Sequence, residues 1–210
     1  MRELRRGLWH WQAPHPEWKP EEPWGELVSS YAIDDGDRLL LFDPLSVPGE
    51  LEERARGREV VVVLTAPWHE RDAQTLVQRL GARVFAPPPD TQDDLMQKFG
   101  ITAEQAAGGS PDLRWLRAED TVGRLPGIQS FAGREHNDLV LWVDDYRAVV
   151  AGDTLVDFGR GLQIADWLRA GVTREQVAAG LRPLLELPVE HVLPAHGAPT
   201  DRAALERALA

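Results

Sequence analysis

The stretch that most constrains this chain is Val60–Asp72, which reads V-V-V-V-L-T-A-P-W-H-E-R-D. Four valines in a row send β-branched side chains to both faces of a strand, so the strand is apolar on both sides and buried on both. It stops at a short polar loop. A helical pattern follows from Asp72 to Leu80, with Leu76, Val77 and Leu80 on one face and Gly81 as its stop. A rigid strand whose end opens into a loop ahead of a helix is a common place to build a site. Three later stretches speak to this one: Gly133–Asp138 (G-R-E-H-N-D), Ala151–Leu155 (A-G-D-T-L) and Leu193–Gly197 (L-P-A-H-G).

Around the central strand the pattern is one of short elements. Val28–Ile33 alternates and predicts a strand, Asp34-Asp35-Gly36-Asp37 a hairpin turn, and Arg38–Phe42 the returning strand ending at Asp43-Pro44. A charged helix is expected over Glu50–Arg56 and a strand over Arg83–Ala86, stopped by Pro87-Pro88-Pro89. In the second half strands are expected at Gly127–Phe131, Leu139–Val143, Ala148–Val150 and His191–Leu193. Thr173 with Gln176 forms a capping-box pattern for a helix through Val177, Leu181, Leu184 and Leu185, and Asp201–Leu209 is the last helix. Two strand-rich halves, each followed by helices, predict an α/β fold of two facing sheets with helices outside, one domain over residues 1–210.

Two segments stand apart. Residues 1–27 carry Trp9, Trp11, Trp18 and Trp24, with Pro14, Pro16, Pro20 and Pro23 among them. That composition predicts an extended arm packed over the domain, or one that walls a cleft with His10 or His15 at its rim. Residues 90–118 read as a surface insertion, with short helices expected over Asp93–Phe99 and Thr102–Ala107.

Composition narrows the function classes. The formal net charge of -11 speaks against non-specific attraction to nucleic acid or an anionic membrane. With no cysteine there is no thiol nucleophile and no Cys-ligated zinc, and a reducing compartment suits the chain. The start, M-R-E-L-R-R-G-L-W-H-W, is basic with no apolar run behind it and does not read as a signal peptide; no run approaches transmembrane length. The expectation is a soluble cytoplasmic protein with a small-molecule ligand. No G-x-S-x-G elbow, G-x-G-x-x-G or P-loop is present, and there are only five serines, so a covalent nucleophile is hard to name.

Taken in order, these stretches resemble the metallo-β-lactamase-fold superfamily over nearly the whole length. The hairpin ending in Asp43-Pro44 looks like that family's opening hairpin. The strand ending in Leu64-Thr65 looks like the one that delivers its metal-binding loop, Gly152-Asp153 like its bridging Gly-Asp, and Pro194-Ala195-His196-Gly197 like its late P-x-H-G. The resemblance implies a four-layer αββα sandwich with the site along one edge of the sheets. It also shows departures. Where the family has T-H-x-H-x-D-H, this chain has Thr65-Ala66-Pro67-Trp68-His69-Glu70-Arg71, and Gly133 is followed by Arg134 where the family has a histidine.

What the resemblance then implies is a reduced site. Glu70, Asp153 and His196 are left to hold one divalent metal (zinc, manganese or iron), with His69 as a fourth ligand or general base. The other option is that no metal binds. Arg71 and Arg134 then supply the missing positive charge by pairing with Asp153 or Glu70, and Trp68 fills metal volume or stacks on a ligand. His136, beside the departed histidine, is a one-sided substitute for it. Three functions are open: a divergent hydrolase-derived protein with weak or no metal-dependent hydrolysis; a mononuclear hydrolase of a small ester or thioester, with Arg71 or Arg134 stabilising an oxyanion; and a non-catalytic binder of a small anion through Arg71 and Arg134.

Overall fold

A computed structural model describes residues 1–107 and 122–210. In chain order the elements are β1 (Arg2–Arg5), β2 (Leu8–Pro14), β3 (Leu27–Asp34), β4 (Arg38–Phe42), α1 (Gly49–Ala55), β5 (Glu59–Val63), α2 (Ala73–Leu80), β6 (Arg83–Phe85), α3 (Gln92–Phe99) and α4 (Ala103–Ala106). Then come β7 (Ile128–Glu135), β8 (Asp138–Val143), β9 (Ala148–Gly152), β10 (Leu155–Val156), β11 (Gln163–Ile164), α5 (Arg174–Leu181), β12 (His191–Pro194) and α6 (Arg202–Ala208). Strands β1 to β6 lie side by side in sequence order in one sheet; the second sheet runs β12-β9-β8-β7.

Period-two alternation assigns the layers. In β4, Leu40 and Phe42 point into the cluster between the sheets, while Leu39 and Leu41 point out to the helices. In β5, Val61 and Val63 go in and Val60 and Val62 go out, so the valine run is buried on both faces as its composition requires. Leu141, Val143 and Val150 of the second sheet meet the first sheet, whereas Val140, Trp142 and Val149 meet Val177, Leu181 and Leu205 of α5 and α6. The outer face of the first sheet packs on Leu51 and Ala55 of α1 and on Ala73 and Leu76 of α2. The result is a four-layer αββα sandwich. Each fully buried Leu or Val contributes about 1.5–3 kcal/mol of transfer free energy.

The topology sets where a site can be built. β4, β5 and β6 are parallel, and so are β9 and β12. Their C-terminal ends therefore open at one edge of the sandwich, which is where α/β folds place ligands. Backbone bonds stitch the two sheets together at that edge: Ser29 N–H donates to the Ala195 carbonyl at 2.8 Å and Leu139 N–H to the Thr65 carbonyl at 2.8 Å.

Most expected elements lie within two residues of the observed ones. Two differ for clear reasons. The Trp-rich arm contains a full strand: Leu8–Pro14 pairs with β3 along its length, and Trp9 and Trp11 cover the outer face of the first sheet. The helix capped by Thr173 ends at Leu181, because Pro183 has no N–H to donate; the chain tightens into a 3-10 turn over Arg182–Glu186 that still buries Leu184. In the expected insertion, α3 and α4 each start with a threonine capping box, and residues 108–118 lie outside the described residues. Among the described residues no helix is long and apolar enough to cross a membrane.

Candidate functional site

Four strand ends converge on the carboxylate of Asp153. Gly152, at the end of β9, takes φ +54, and an added Cβ there would sit 3.0 Å from the Leu139 carbonyl and 3.1 Å from Thr65 Oγ1, so only glycine lets the next residue turn into the cleft. Asp153 is buried. The Trp68 indole N–H donates to its Oδ2 at 2.9 Å, and Arg134 Nη2 stands 3.6 Å from the same oxygen. His69 Nε2 and His196 Nε2 lie 3.1 and 3.2 Å from Oδ1, neither with its N–H squarely aligned on it. Nitrogens of one indole, two imidazoles and one guanidinium thus surround one carboxylate.

His69 is held from behind. Its Nδ1 lies 3.0 Å from Thr65 Oγ1 and 3.1 Å from Asp43 Oδ2. Asp43 in turn accepts from the Thr65 amide at 2.8 Å and the Thr65 hydroxyl at 2.6 Å. Burial pulls the His69 pKa down, but Asp153 and Asp43 on its two sides outweigh burial and push it up to about 9. Asp153 is conversely held well below the usual carboxylate range: burial opposes this, and the two histidines overcome it. His69 is therefore an imidazolium bridging two carboxylates.

The two arginines do different things. Arg134, on an irregular stretch of β7, reaches Asp138 Oδ2 at 2.8 Å and Glu135 Oε1 at 3.1 Å, donates to the Trp167 carbonyl at 3.2 Å, and places its guanidinium 5.3 Å from the Trp68 ring centre. Gly133 before it is obligatory, since a Cβ there would overlap Thr154 Oγ1 and approach the Asp138 carbonyl to 2.5 Å. Arg71 goes instead to backbone: its Nη1 donates to the carbonyls of Asp43 at 2.6 Å and Ser29 at 3.1 Å. It ties the start of β3 to the end of β4, and burial lowers its pKa despite Asp43 and Asp153 nearby. Asp43 (φ +43) and Arg71 (φ +44) are both non-glycine residues in the left-handed region, at a cost of order 1–3 kcal/mol each. Strain of that kind persists where surrounding contacts over-determine the backbone.

Asp138 is wholly buried beside Arg134 and Thr154, whose hydroxyl donates to it at 3.0 Å. Burial pushes its pKa up to about 7; Arg134 pulls the other way and Asp153 adds to the rise.

Of the residues singled out in the sequence, Trp68, His69, Arg134, Asp153 and His196 come together. Arg71 lies beneath them as a backbone clamp rather than as a partner of a carboxylate. His136 stands apart: its ring is nearly half exposed and lies 3.8 Å from Asp94 of α3. Glu70 is half-buried, with its carbonyl accepting the Ala73 N–H at 2.8 Å at the start of α2. Trp24 of the arm lies with its ring centre 5.2 Å from that of His196. Asp43, Thr65 and Asp138 complete the site and were not singled out.

Among the described residues no group of three or more His, Cys, Asp or Glu side chains is placed to hold a metal ion. The contacts supply a chemical reason. Both rings bear on one oxygen of Asp153, the indole takes the other, and His69 spends its second nitrogen on Asp43. A cation would have to displace those N–H groups.

Solved structures match the fold over almost the full chain. The DIM-1 metallo-β-lactamase exposed to ceftazidime is 16% identical, with 99% of this chain and 93% of that one covered and a TM-score of 0.66. A metallo-β-lactamase from Erythrobacter litoralis, with β-mercaptoethanol in its active site, is 14% identical over the same shares at 0.65. TTHA1623, in a di-iron-bound form, is 23% identical over 94% and 98% at 0.59. No family model and no curated protein matches the sequence.

Proposed function

We propose that this chain, which has the metallo-β-lactamase fold, is a divergent relative of those hydrolases in which organic cations carry the charge that metal ions supply there, so that metal-dependent hydrolysis is weak or absent. The observation that supports this reading is the shell of nitrogens around Asp153, two of them on groups that are cationic at neutral pH. Converging carboxylates repel unless a cation lies between them. His69 lies between Asp43 and Asp153, and Arg134 between Asp138 and Asp153. The charge balance that a metal gives is thus supplied from within the chain.

Two other readings fare less well. A mononuclear zinc, manganese or iron hydrolase needs Asp153 and His196 to exchange their present contacts for a metal and Glu70 to join them. Binding of a small anion through Arg71 and Arg134 needs free guanidinium groups, whereas one is committed to carbonyls and the other to carboxylates. Elemental analysis is the test. The protein is offered each metal in turn and dialysed, and we expect well under one equivalent to stay. Stoichiometric retention, with hydrolysis of an ester or thioester that depends on the retained metal, refutes the reading.

A further inference from the structure

A cavity of about 540 Å³ lies at the edge of the sandwich opposite Asp153. β3 ends at this edge with Asp34, β9 begins at it just after Tyr146, and the last turn of α1 brings Arg54 to it. Pockets that hold small organic molecules run about 300–1,000 Å³, so this space is of that class and not the niche of a single ion. Its walls are fixed. Gly7 takes φ +82 in the turn between β1 and β2, and a Cβ there would come within 2.9 Å of the Tyr146 hydroxyl and 3.0 Å of the Asp34 carbonyl. Asp34 N–H donates to the Gly7 carbonyl at 2.9 Å, and the Tyr146 hydroxyl donates to the Asp34 carbonyl, which ties the second sheet to the first.

The charged groups on the lining divide into committed acids and uncommitted cations. Asp34 takes the Arg58 guanidinium on both of its oxygens and also accepts the Gly36 N–H. Asp35 Oδ2 meets Arg38 Nε at 2.8 Å and Nη2 at 2.7 Å, and its Oδ1 accepts the Arg38 N–H at 2.6 Å. The third acid, Glu3, spends Oε1 on the Gly7 N–H at 3.0 Å. The arginines differ. Among the described residues the side chains of Arg6 and Arg54 make no ion pair and no hydrogen bond; Arg54 lies 4.8 Å over the Trp9 ring instead. Each has an acid at pairing distance in sequence, Glu3 three residues before Arg6 and Glu50 four before Arg54 on α1, and pairs with neither.

We infer that this cavity binds a small sugar or polyol phosphate, its phosphoryl group on Arg6 and Arg54 and its hydroxyl groups toward Glu3, Asp34 and Asp35. A guanidinium fork pairs two-pronged with phosphate, and the Trp9 ring beneath holds the fork of Arg54 flat. A phosphate monoester carries about −1.5 to −2 charges at neutral pH, a match for two guanidinium groups. Two of the three acids on the lining already hold an arginine each, so they do not cancel that attraction. The body of the ligand follows from the rest of the lining. Carboxylate oxygens accept and do not donate, so they favour a body that carries hydroxyl donors. No aromatic face is open to an apolar body: Trp9 is 6% exposed, and the Arg5 guanidinium lies 5.4 Å over the Tyr146 ring. None of these residues belongs to the frame around Asp153, so the inference is independent of the metal-free reading.

Calorimetric titration of the full chain tests it, with glucose 6-phosphate, ribose 5-phosphate and glycerol 3-phosphate each run beside its phosphate-free parent, and with phenyl phosphate and inorganic phosphate as controls. At least one of the three saturates. Charge-assisted hydrogen bonds predict that it binds about tenfold or more tighter than its parent, and the hydroxyl-bearing body makes it several-fold tighter than phenyl phosphate or inorganic phosphate. Arg6 and Arg54 are exposed, so Arg6→Gln and Arg54→Gln leave the melting temperature unchanged while each weakens binding about tenfold. Saturation by none of the three, affinity unchanged in either variant, or phenyl phosphate or inorganic phosphate binding as tightly as the best sugar phosphate overturns the inference.

Discussion

Replacing Arg134 with methionine is the sharpest perturbation of the charge arrangement. The side chain is 8% exposed and faces Asp138 at 2.8 Å, Glu135 at 3.1 Å and Asp153 at 3.6 Å. Methionine keeps much of the apolar stem and removes the charge. Breaking a buried ion pair on one side costs about 3–5 kcal/mol, because the stranded carboxylates keep their desolvation penalty. For a chain of this length that is a fall in melting temperature of about 6–20 °C. The pH dependence gives a second, independent handle. Asp138 already sits with its pKa pushed up to about 7, chiefly by burial, and Arg134 is what pulls it down. In the variant it rises further. A carboxyl whose folded pKa lies above its ordinary value of 3.8 binds a proton in the folded state that the unfolded chain has lost. Stability then falls as pH rises between the two values and is flat above the upper one. The deficit of Arg134→Met is thus largest at pH 8 and narrows toward pH 5, where Asp138 is neutral. Thermal melts followed by circular dichroism at both pH values measure it. A variant that melts within about 2 °C of the parent at pH 8, with no widening between pH 5 and pH 8, refutes the balancing role of this arginine.

Two further changes probe the same frame. His69, with its pKa pushed up to about 9 from an ordinary 6.5, contributes stability that is fully present below pH 6.5 and lost as pH rises through 9; the parent melting temperature should therefore drop between pH 7 and pH 10, and His69→Gln should start lower and lack that drop. Gly133→Ala drives a methyl group into Thr154 and the Asp138 carbonyl, an overpacking cost of about 1–3 kcal/mol or more, and an unchanged urea midpoint would mean that β7 does not press on Thr154 and the start of β8 at that point.

The fold was legible because its strands obey simple periodicities. The valine run of β5 has no polar face to show solvent, so it had to be central, and the structure places it between β4 and β6 with helices on one side and the second sheet on the other. Asp34 to Asp37 with Gly36 at φ +94 makes the turn its residues demand. The N-terminal strand was harder to see. L-W-H-W-Q-A-P alternates as cleanly as any other, but four prolines within ten residues dominate the composition of the segment, and they govern only the residues after Ala13. The stop at Leu181 is likewise a proline effect that the apolar spacing of Leu184 and Leu185 obscured.

The site was half legible, and the missing half is instructive. Arg71 and Arg134 look alike in sequence, each standing where the resemblance expects a ligand. Only backbone direction tells them apart: φ +44 at Arg71 turns its side chain toward the carbonyls of Ser29, near the start of β3, and Asp43, just past the end of β4, while the irregular end of β7 aims Arg134 at carboxylates. Against a template of ligand spacing, His69 is out of register by one. Measured by charge, it is in place. Under the proposed metal-free reading, the pocket must keep its carboxylates neutralised, and organic cations must do so with equal reach. His69 meets that need only because a second acid, Asp43, backs it. An Asp at the end of the strand parallel to the one bearing Thr65 was the available signal: parallel neighbours end at the same edge, so a carboxylate closing β4 had to face the loop that leaves β5. Counting charge at the strand ends, rather than matching ligands one by one, finds both residues.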